Sequence, residues 1–439
     1  MSSDWPLVSV DDIKANRPSS IAIGPFGSRM KSDCYVSEGV RVVRGTNLTG
    51  GRSVSGDFVF ITPEKADELT SANLLPNDLV FPHRGAIGEV GIVPNDGERY
   101  VLSSSLMKLT CSASRAHPDF IYYFFKSEAG RFELLKNASQ VGTPGIGQPL
   151  ASLKQIKLRL PPVDVQRSIS AALRALDDRI ALLRETNATL EAIAQALFKS
   201  WFVDFDPVRA KQQGLAPAGM DEATAALFPE SFEESVLGLV PKGWKVRALD
   251  EIATYLNGLA LQKFPPRDDS WLPVIKIAQL RRGDTVGADR AGRNLKPEYI
   301  IQNGDILFSW SGSLEVEVWC GGEGALNQHL FKVTSKDFPK WFYLHWTRHH
   351  LDHFRQIAAS KATTMGHIQR GHLSEAKVLV PPAALLGAMD AYFAPLLARI
   401  VQNELQAQSL ATLRDTLLPR LISGQLRLPE ALAEMDEAA

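Results

Sequence analysis

The chain has 439 residues, of which 45% are hydrophobic and 22% charged, and its formal net charge is −1. This balance is typical of a globular protein of roughly two to four domains, and it excludes a nucleic-acid binder coated in positive charge. No run of about 18 or more apolar residues occurs, so we expect no membrane-spanning segment and no membrane partner. The three cysteines lie far apart and form no CxxC pair, which favours a reducing, cytoplasmic compartment over a disulfide framework or a structural zinc site.

Residues 1–160 are predicted to form a strand-rich domain of mixed α/β structure. Short β-branched or aromatic runs such as "VRVVRG" and "DLVF" stand between Gly, Pro, Asn and Asp residues, a pattern typical of strands joined by turns. One helix, around residues 118–136, interrupts this pattern. We therefore expect a domain built mainly from strands.

A long helix is predicted over residues 161–206. It follows the pair Pro161-Pro162, which suits a helix start. Apolar residues then alternate by four and three over roughly four and a half heptads, a pattern that indicates a coiled-coil seam rather than a plain amphipathic stripe. The seam positions are Ile169, Leu173, Leu176, Ile180, Leu183, Asn187, Leu190, Ala194, Leu197 and Trp201.

The predicted helix ends in an aromatic segment that includes "SWFVDFDPVR", residues 200–209. Large aromatic side chains at a helix end suit either a buried cluster or a surface that binds a partner. The residue pattern alone leaves both interpretations open for Phe198, Trp201, Phe202 and Phe205.

The second half of the chain repeats the first. The segment "LKQIKLRLPP", residues 153–162, has a counterpart in "LSEAKVLVPP", residues 373–382, and "LSSSLMKLT" from Leu102 matches "LNQHLFKVT" from Leu326. Such self-similarity indicates two copies of one structural unit. We therefore predict a linker at 207–240, a second mixed α/β domain at 241–380, a second spacer helix at 381–424 and a tail at 425–439.

The two long helices are expected to pair with each other as an antiparallel coiled coil. Each is about 40 residues, hence roughly 60 Å long, and each seam contains one Asn, Asn187 or Asn403, at positions that do not match between the repeats. A buried Asn at a seam can fix the register of the helices at some cost in stability. The predicted fold class is thus α+β, with two tandem domains separated by paired helices and an internal pseudo-two-fold repeat.

No catalytic constellation is recognisable. Neither Pro-Pro pair belongs to the Asn/Asp-Pro-Pro-aromatic segment that an amino-methyltransferase needs, and no phosphate-binding GxGxxG or GxxxxGK[ST] motif is present. The acid-x-Lys in "SEAK", residues 374–377, lacks the preceding Pro-Asp of many nucleases. His345, His349 and His353 share one helix face at metal-binding spacing, but the matching segment of the first repeat contains no histidine. We therefore predict an ordinary helix face there and no metal site.

Two similar domains held apart by a rigid spacer suit a ligand with two sites at a fixed distance, such as duplex DNA, whose groove sites recur about every 34 Å. Arg84 stands before Gly85 at a strand-to-turn junction, where its guanidinium could enter a groove, and the repeat has Ser311 near that place. Arg44 aligns with Lys276, and solvation at the edge of the core explains this basic pair as well as phosphate contact does.

Four segments resemble the DNA-specificity subunits of Type I restriction–modification systems. Residues 160–211, from "LPPVDVQRSI" to "LFKSWFVDFDPVRAK", look like the central conserved region of that family. "DWPLVSVDDI", 4–13, and "PKGWKVRALDEIA", 241–253, resemble the openings of its two target-recognition domains, and "LRDTLLPRLISGQL", 413–426, resembles its C-terminal conserved region. The resemblance covers essentially the whole chain.

The resemblance implies DNA contacts in the loop before each Pro-Pro strand, residues 139–149 and 360–370. Both loops are rich in Gly, Thr and amide residues, and Arg with guanine or Asn and Gln with adenine are the favoured pairs in a DNA groove. A plain surface turn is the alternative at each position. The candidate residues in these loops are Thr143, Gln148, Lys361, Thr363, Thr364, His367, Gln369 and Arg370.

By the same resemblance the chain is expected to be a non-catalytic specificity subunit that binds a bipartite double-stranded DNA target. Two modification subunits would dock on the helices and bind S-adenosylmethionine, and restriction subunits would add ATP- and magnesium-dependent cleavage, so that this chain itself binds no cofactor. A coiled-coil scaffold that never touches DNA is the rival from another class. A solitary nuclease or methyltransferase is disfavoured by the missing motifs.

Overall fold

The computed structural model describes residues 4–26, 29–48, 51–139, 142–267, 269–360 and 366–438. These residues form two compact units, unit 1 from Met1–Ile180 with Ser409–Ala439 and unit 2 from Ala181–Gln408. Each unit therefore contains one predicted domain together with segments of both long helices.

The first repeat is strand-rich, as the turn-bounded β-branched runs predict. Its helices are α1 (Val10–Ile13), α2 (Pro63–Glu68), α3 (Pro118–Lys126), α4 (Glu128–Leu135) and α5 (Pro149–Gln155). Its strands are β1 (Leu7–Ser9), β2 (Ile21–Ile23), β3 (Tyr35–Val36), β4 (Val40–Val43), β5 (Val59–Ile61), β6 (Asn73–Leu74), β7 (Leu79–Pro82), β8 (Gly91–Ile92), β9 (Tyr100–Leu102), β10 (Leu106–Leu109), β11 (Ala138–Ser139), β12 (Gly145–Ile146) and β13 (Lys157–Arg159).

The long helix and the predicted linker follow. The helices of this part are α6 (Val163–Phe198), α7 (Asp206–Gln212) and α8 (Glu222–Leu227), and its strands are β14 (Phe232–Ser235) and β15 (Gly238–Pro241). A π-helical turn at Lys199–Val203 ends the long helix a few residues before position 206. The segment 207–240 thus contains two short helices and a β-hairpin.

The second repeat has a similar order of elements. Its strands are β16 (Lys245–Ala248), β17 (Thr254–Asn257), β18 (Trp271–Ile275), β19 (Arg290–Gly292), β20 (Ile300–Ile301), β21 (Ile306–Ser309), β22 (Val316–Val318), β23 (Gly324–Leu326), β24 (Leu330–Thr334) and β25 (Lys377–Val380). Its helices are α9 (Leu249–Ile252), α10 (Ile277–Arg282), α11 (Lys340–His349), α12 (Leu351–Ser360), α13 (Arg370–Glu375) and α14 (Ala383–Ser423), and the predicted tail forms α15 (Leu428–Ala438).

The sheets confirm the repeat in their main strand pairings. The four-stranded antiparallel sheet β2-β10-β7-β8 of the first repeat corresponds to β17-β24-β21-β22 of the second. A second sheet in each repeat contains one parallel pair, β4 with β9 or β18 with β23. The opening strand of each domain pairs with its closing strand, β1 with β13 and β16 with β25. The closing strand leads directly into the long helix, so each domain is tied to the helix that follows it.

An ion pair joins the two central strands of each four-stranded sheet, and in the first repeat it is buried. In the first repeat Lys108 Nζ lies 3.3 Å from Asp78 Oδ2, and both side chains are at most 3% exposed. Burial lowers the pKa of Lys108, while the charge of Asp78 opposes that shift. The second repeat keeps the pair as Lys332 and Asp305, 2.7 Å apart and more exposed. A buried charge without its partner is costly, so each pair holds its strands in one register.

The long helices α6 and α14 pair antiparallel, as predicted. In unit 1 Arg414 Nη1 donates to Asp177 Oδ1 at 2.7 Å, and in unit 2 Asn403 Nδ2 donates to Asn187 Oδ1 at 2.9 Å. Residue numbers rise along one helix as they fall along the other, which defines the direction. The apolar seam residues that the structure buries are Ile169, Leu173, Leu176, Ile180, Leu183, Ala194, Trp201, Met389, Phe393, Ala407, Leu410, Leu417 and Leu421.

The two seam asparagines meet each other, although they do not match between the repeats. Asn403 is 1% exposed, and Asn187 Nδ2 also donates to the carbonyl oxygen of Ile400 at 3.0 Å. Buried amides are stable when each finds a partner. The pair therefore favours one register of the two helices over its neighbours.

Each domain docks on its own long helix through a hydrogen bond to a carboxylate. The Tyr123 hydroxyl of α3 donates to Asp177 Oδ2 of α6 at 2.7 Å, and Trp341 Nε1 of α11 donates to Asp390 Oδ1 of α14 at 2.7 Å. These bonds form where aromatic residues of α3 and α11 are almost fully buried. The same docking is therefore achieved with different residues in the two repeats.

By length and composition alone, α14 could cross a membrane. Its apolar residues are interrupted by polar ones, so the sequence contains no uninterrupted apolar run of that length. Its most apolar 18-residue window has a mean hydropathy of 1.5 and is 22% buried. The helix nevertheless packs along α6 through the buried amide of Asn403. We therefore interpret α14 as half of the helix pair, with much of its apolar surface exposed.

Lys108→Met is predicted to destabilise the β7–β10 strand pair by about 3–5 kcal/mol, because Asp78 would stay buried without its cation. Hydrogen exchange of the β7 and β10 amides measures this as a fall in the free energy of opening. Lys332→Met is the matched control, with a smaller loss expected because its pair is more exposed. Equal protection of these amides from exchange in Lys108→Met and in the unaltered protein would contradict a stabilising role for the Lys108–Asp78 pair.

Asn403→Leu is predicted to lower the free energy of unfolding of unit 2 by about 1–3 kcal/mol, because Asn187 Oδ1 loses its donor while Asn187 Nδ2 keeps its bond to Ile400. Urea unfolding followed by tryptophan fluorescence measures it, since seven of the eight tryptophans lie in unit 2. The double variant Asn187→Leu/Asn403→Leu is expected to regain much of the loss, because no orphaned amide remains. A double variant no more stable than the single one would refute this account.

Candidate nucleic-acid interface

In each unit, two segments that the sequence offered as separate candidates lie side by side. In unit 1, Arg84 and Gly145 form an isolated antiparallel bridge, and the Ile146 amide donates to the carbonyl oxygen of His83 at 2.9 Å. The turn after β7 therefore lies beside β12, which belongs to the loop 139–149.

Unit 2 repeats this arrangement at the corresponding place. Ser311 and His367 form the equivalent bridge, and the Ile368 amide donates to the carbonyl oxygen of Trp310 at 3.0 Å. The turn after β21 and the loop before α13 thus form one surface. Because the backbone pairing is shared and the side chains differ, the two surfaces have one framework with different chemistry.

The candidate residues of unit 1 lie on the outside of this surface. Arg84, Thr143 and Gln148 are all exposed. Gly85, directly after Arg84, has φ +86°, and its missing Cβ would have open space around it, so the backbone conformation rather than crowding requires glycine. Gln148 holds the left-handed conformation, φ 46°, just before α5. Both turns place polar side chains at the end of a strand or helix.

The candidate residues of unit 2 are described in part. His367, Gln369 and Arg370 are exposed. The Arg370 guanidinium lies 5.8 Å from the centroid of the Phe331 ring, and its Nη2 donates to the carbonyl oxygen of Tyr255 at 3.4 Å. The remaining candidates of this loop, Lys361, Thr363 and Thr364, lie outside the described residues.

Arg44 and Lys276 occupy equivalent backbone positions, but their side chains differ in environment. Each precedes a short helical segment and donates its amide three residues ahead, to Asn47 at 2.9 Å and to Gln279 at 3.3 Å. Arg44 is half-buried with its Nε atom buried and unpartnered, whereas Lys276 is exposed and forms an ion pair with Asp289. The Arg44 side chain is thus partly enclosed by its own domain, whereas Lys276 is open to solvent.

The aromatic residues after the first spacer helix lie in the core of unit 2. Phe198, Trp201, Phe202 and Phe205 are each at most 9% exposed. Trp201 packs edge-on against Phe393 of α14 at 5.6 Å between ring centroids. Such burial agrees with the buried-cluster interpretation, because a partner protein could not reach these side chains in this conformation.

The histidine series on α11 and α12 does not form a metal site. Among the described residues, no group of three His, Cys, Asp or Glu side chains is placed to hold a metal ion. His345 is 6% exposed, and its ring stacks on Phe198 at 5.2 Å. Burial lowers the pKa of His345 to about 3. His345 is therefore a neutral core residue.

Two further polar residues border the surface of unit 2, and the sequence did not single them out. Gln328 and His329 lie in the turn between β23 and β24, and His329 Nδ1 lies 3.0 Å from Ser311 Oγ. Their signal in the sequence was the replacement of "LSSSL" in the first repeat by "LNQHL" in the second.

Comparison with known proteins gives one consistent result. The family model described as "Type I restriction modification DNA specificity domain" matches residues 35–192 and 241–385, once in each repeat. The Type I restriction enzyme HindI specificity subunit of Haemophilus influenzae is 26% identical, over 77% of this chain and 84% of its own length. The Type I restriction enzyme MjaIX specificity subunit of Methanocaldococcus jannaschii is 25% identical, over 84% and 82%.

A solved structure shares the fold. The S subunit of a Type I restriction–modification system from M. genitalium is 14% identical to this chain and covers 95% of it, with 96% of its own chain aligned and a TM-score of 0.55. At this identity the likeness concerns the fold alone.

His345→Phe is predicted to reduce the acid sensitivity of unit 2. The unfolded chain protonates this histidine below about pH 6.5, whereas the folded chain does so only near pH 3. Stability is therefore lost as the pH falls from about 6.5 towards 3, by up to about 1.4 kcal/mol per pH unit. Phe124 stands at the equivalent position of the first repeat. In the variant, the free energy of unfolding, measured with urea at a series of pH values, should depend less steeply on pH. An unchanged slope would contradict the burial of a neutral ring.

Proposed function

The chain belongs to the Type I restriction modification DNA specificity family, and from this premise we propose that it binds a bipartite DNA target, with each unit reading one half. It is the specificity subunit of such a system rather than a catalytic one. The family match favours this function over the coiled-coil scaffold, which no observation supports.

The observation that carries the proposal is the repeated bridge between a strand-end turn and a polar loop. The pairs Arg84–Gly145 and Ser311–His367 are formed at corresponding places of the two repeats. Sequence is read from DNA by side chains with directional donors and acceptors. A common framework with different exposed side chains suits two half-targets of different sequence.

Several exposed residues are candidates for direct contact. An Arg can pair with guanine and an amide with adenine, whereas Lys and Thr suit phosphates. We assign the contacts in unit 1 to Arg84, Thr143 and Gln148, and those in unit 2 to Lys276, Lys361, Thr363, Thr364, His367, Gln369 and Arg370.

The helix pair is the proposed site for partner subunits. Leu182 and Ile193 of α6 are 52% and 44% exposed, and the most apolar window of α14 is 22% buried. Apolar helix faces of this kind suit contact with other helices. Two modification subunits that carry S-adenosylmethionine would dock here, and restriction subunits that use ATP and magnesium would join the assembly. The near-neutral charge of the chain then leaves much of the phosphate binding to these partners, in the cytoplasm where DNA is available.

The test is co-expression with a Type I modification subunit, followed by mapping of methylated adenine across the genome. We expect a split motif, with two short defined parts around a fixed gap. Replacing residues 1–160 by the corresponding domain of a relative with another target should change one part of the motif only. A single contiguous motif, or a change in both parts, would contradict the division of labour between the units.

A further inference from the structure

A polar cluster lies beside the bridge between the two loops of unit 2. Gln328 Nε2 lies 3.3 Å from His329 Nε2, and His329 Nδ1 lies 3.0 Å from Ser311 Oγ. Trp310 packs against the His329 ring with centroids 5.9 Å apart. The Trp310 Nε1 atom donates to Asn257 Oδ1 at 2.9 Å. Each member is thus held by a contact on at least one side.

The chemistry of the amide fixes the direction of these hydrogen bonds. The Nε2 atom of a glutamine can only donate, so His329 Nε2 accepts, and the N–H of the ring lies at Nδ1, which donates to Ser311 Oγ. The bond to His329 uses one N–H of the Gln328 amide. The second N–H and Oε1 remain for another partner, on a half-exposed side chain.

The backbone of the turn is as firmly held as the side chains. The backbone N–H of Gln328 donates to the carbonyl oxygen of Leu259 at 2.9 Å, and the backbone N–H of His329 donates to Asn327 Oδ1 at 3.2 Å. Asn327 itself is buried. The position of Gln328 is therefore set before any ligand binds, as a site that discriminates between bases requires.

The first repeat keeps the framework but not the cluster. Ser104 and Ser105 stand where the second repeat has Gln328 and His329, and His83 stands where it has Trp310. His83 bonds instead to the carbonyl oxygen of Ser104, at 3.0 Å. Residues that differ on an otherwise equivalent backbone are those that can give the two half-targets different sequences.

We propose that Gln328 reads an adenine in the half-target bound by unit 2, with His329 and Trp310 as positioning residues; this rests on the proposed function. A glutamine amide can pair with adenine in the major groove, accepting from N6 and donating to N7. The groups left on the Gln328 amide, Oε1 and one N–H, are the two that this pairing needs. The cluster adjoins the exposed residue His367, whose ring centroid lies 6.3 Å from that of Trp310, on the same proposed surface.

The experiment maps adenine methylation across the genome for the complete complex, with the full chain carrying Gln328→Ala. At one A·T position in the half of the motif that belongs to unit 2, discrimination against other bases should fall about 5- to 150-fold. The other half of the motif should stay unchanged and serves as an internal control. Gln302→Ala is the matched control, because Gln302 is an exposed glutamine of unit 2 that bonds to Glu323 outside the cluster.

Two further variants keep the test decisive if Gln328→Ala fails to assemble. Gln328→Glu keeps the length of the side chain but can only accept, so preference at that position should move towards cytosine, whose N4 donates. His329→Ala should relax the same position as Gln328→Ala and no other, which a general loss of stability would not do.

An unchanged motif in both Gln328 variants would overturn this inference while leaving the proposed function intact. Relaxation at many positions in both halves would also overturn it, because the residue would then act through folding. Absence of any motif with the unaltered chain would instead refute the proposed function on which the inference rests.

Discussion

The antiparallel pairing of α6 and α14 is the constraint on which the rest of the structure depends. Unit 1 is assembled from two segments far apart in the chain, and unit 2 is one continuous stretch. In both units, parts of α6 and α14 that are distant in sequence pack against each other. In unit 1 the carboxylate of Asp177 accepts from the α3 residue Tyr123 and from Arg414 of α14. In unit 2 the buried amide of Asn403 donates to the half-buried amide of Asn187. Polar groups in an apolar seam must be hydrogen-bonded to be stable, and few partners are within reach. The register in which these groups pair is therefore favoured over the others.

Within each repeat, rigid parts and variable parts are separated. The Asp–Lys pair between the central strands and the closure of each domain by its first and last strands occur in both repeats. The side chains on the bridged loops and on the turn beside them differ between the repeats. Arg84 stands near the place of Ser311 on a bridged loop, and Ser104 stands at the place of Gln328 on the neighbouring turn. A scaffold that is the same twice can hold two different recognition surfaces, because the cost of folding is met by the core and not by the loops.

Much of the fold could be predicted because its signals are local. The heptads of α6 and α14 are periodic, and Pro161-Pro162 marks the start of the first helix. The duplication showed that whatever one half forms, the other half forms again. Burial of particular aromatic residues was harder to predict: Phe198 and Trp201 suit a core and a partner surface equally well by composition, and they lie in the core because α14 packs against them.

The sequence by itself determined the repeat, the long helices and the family, since these follow from periodicity and from motifs read along one segment. Only the tertiary structure decided which loops share a surface. Arg84 meets Gly145, and Ser311 meets His367, through β-bridges between residues about 60 positions apart, and such pairing leaves no periodic trace in either segment. The tertiary structure likewise placed Gln328 and His329 beside Ser311, because the direction of a side chain depends on the strands that flank its turn, and those strands are fixed by the fold of the whole domain.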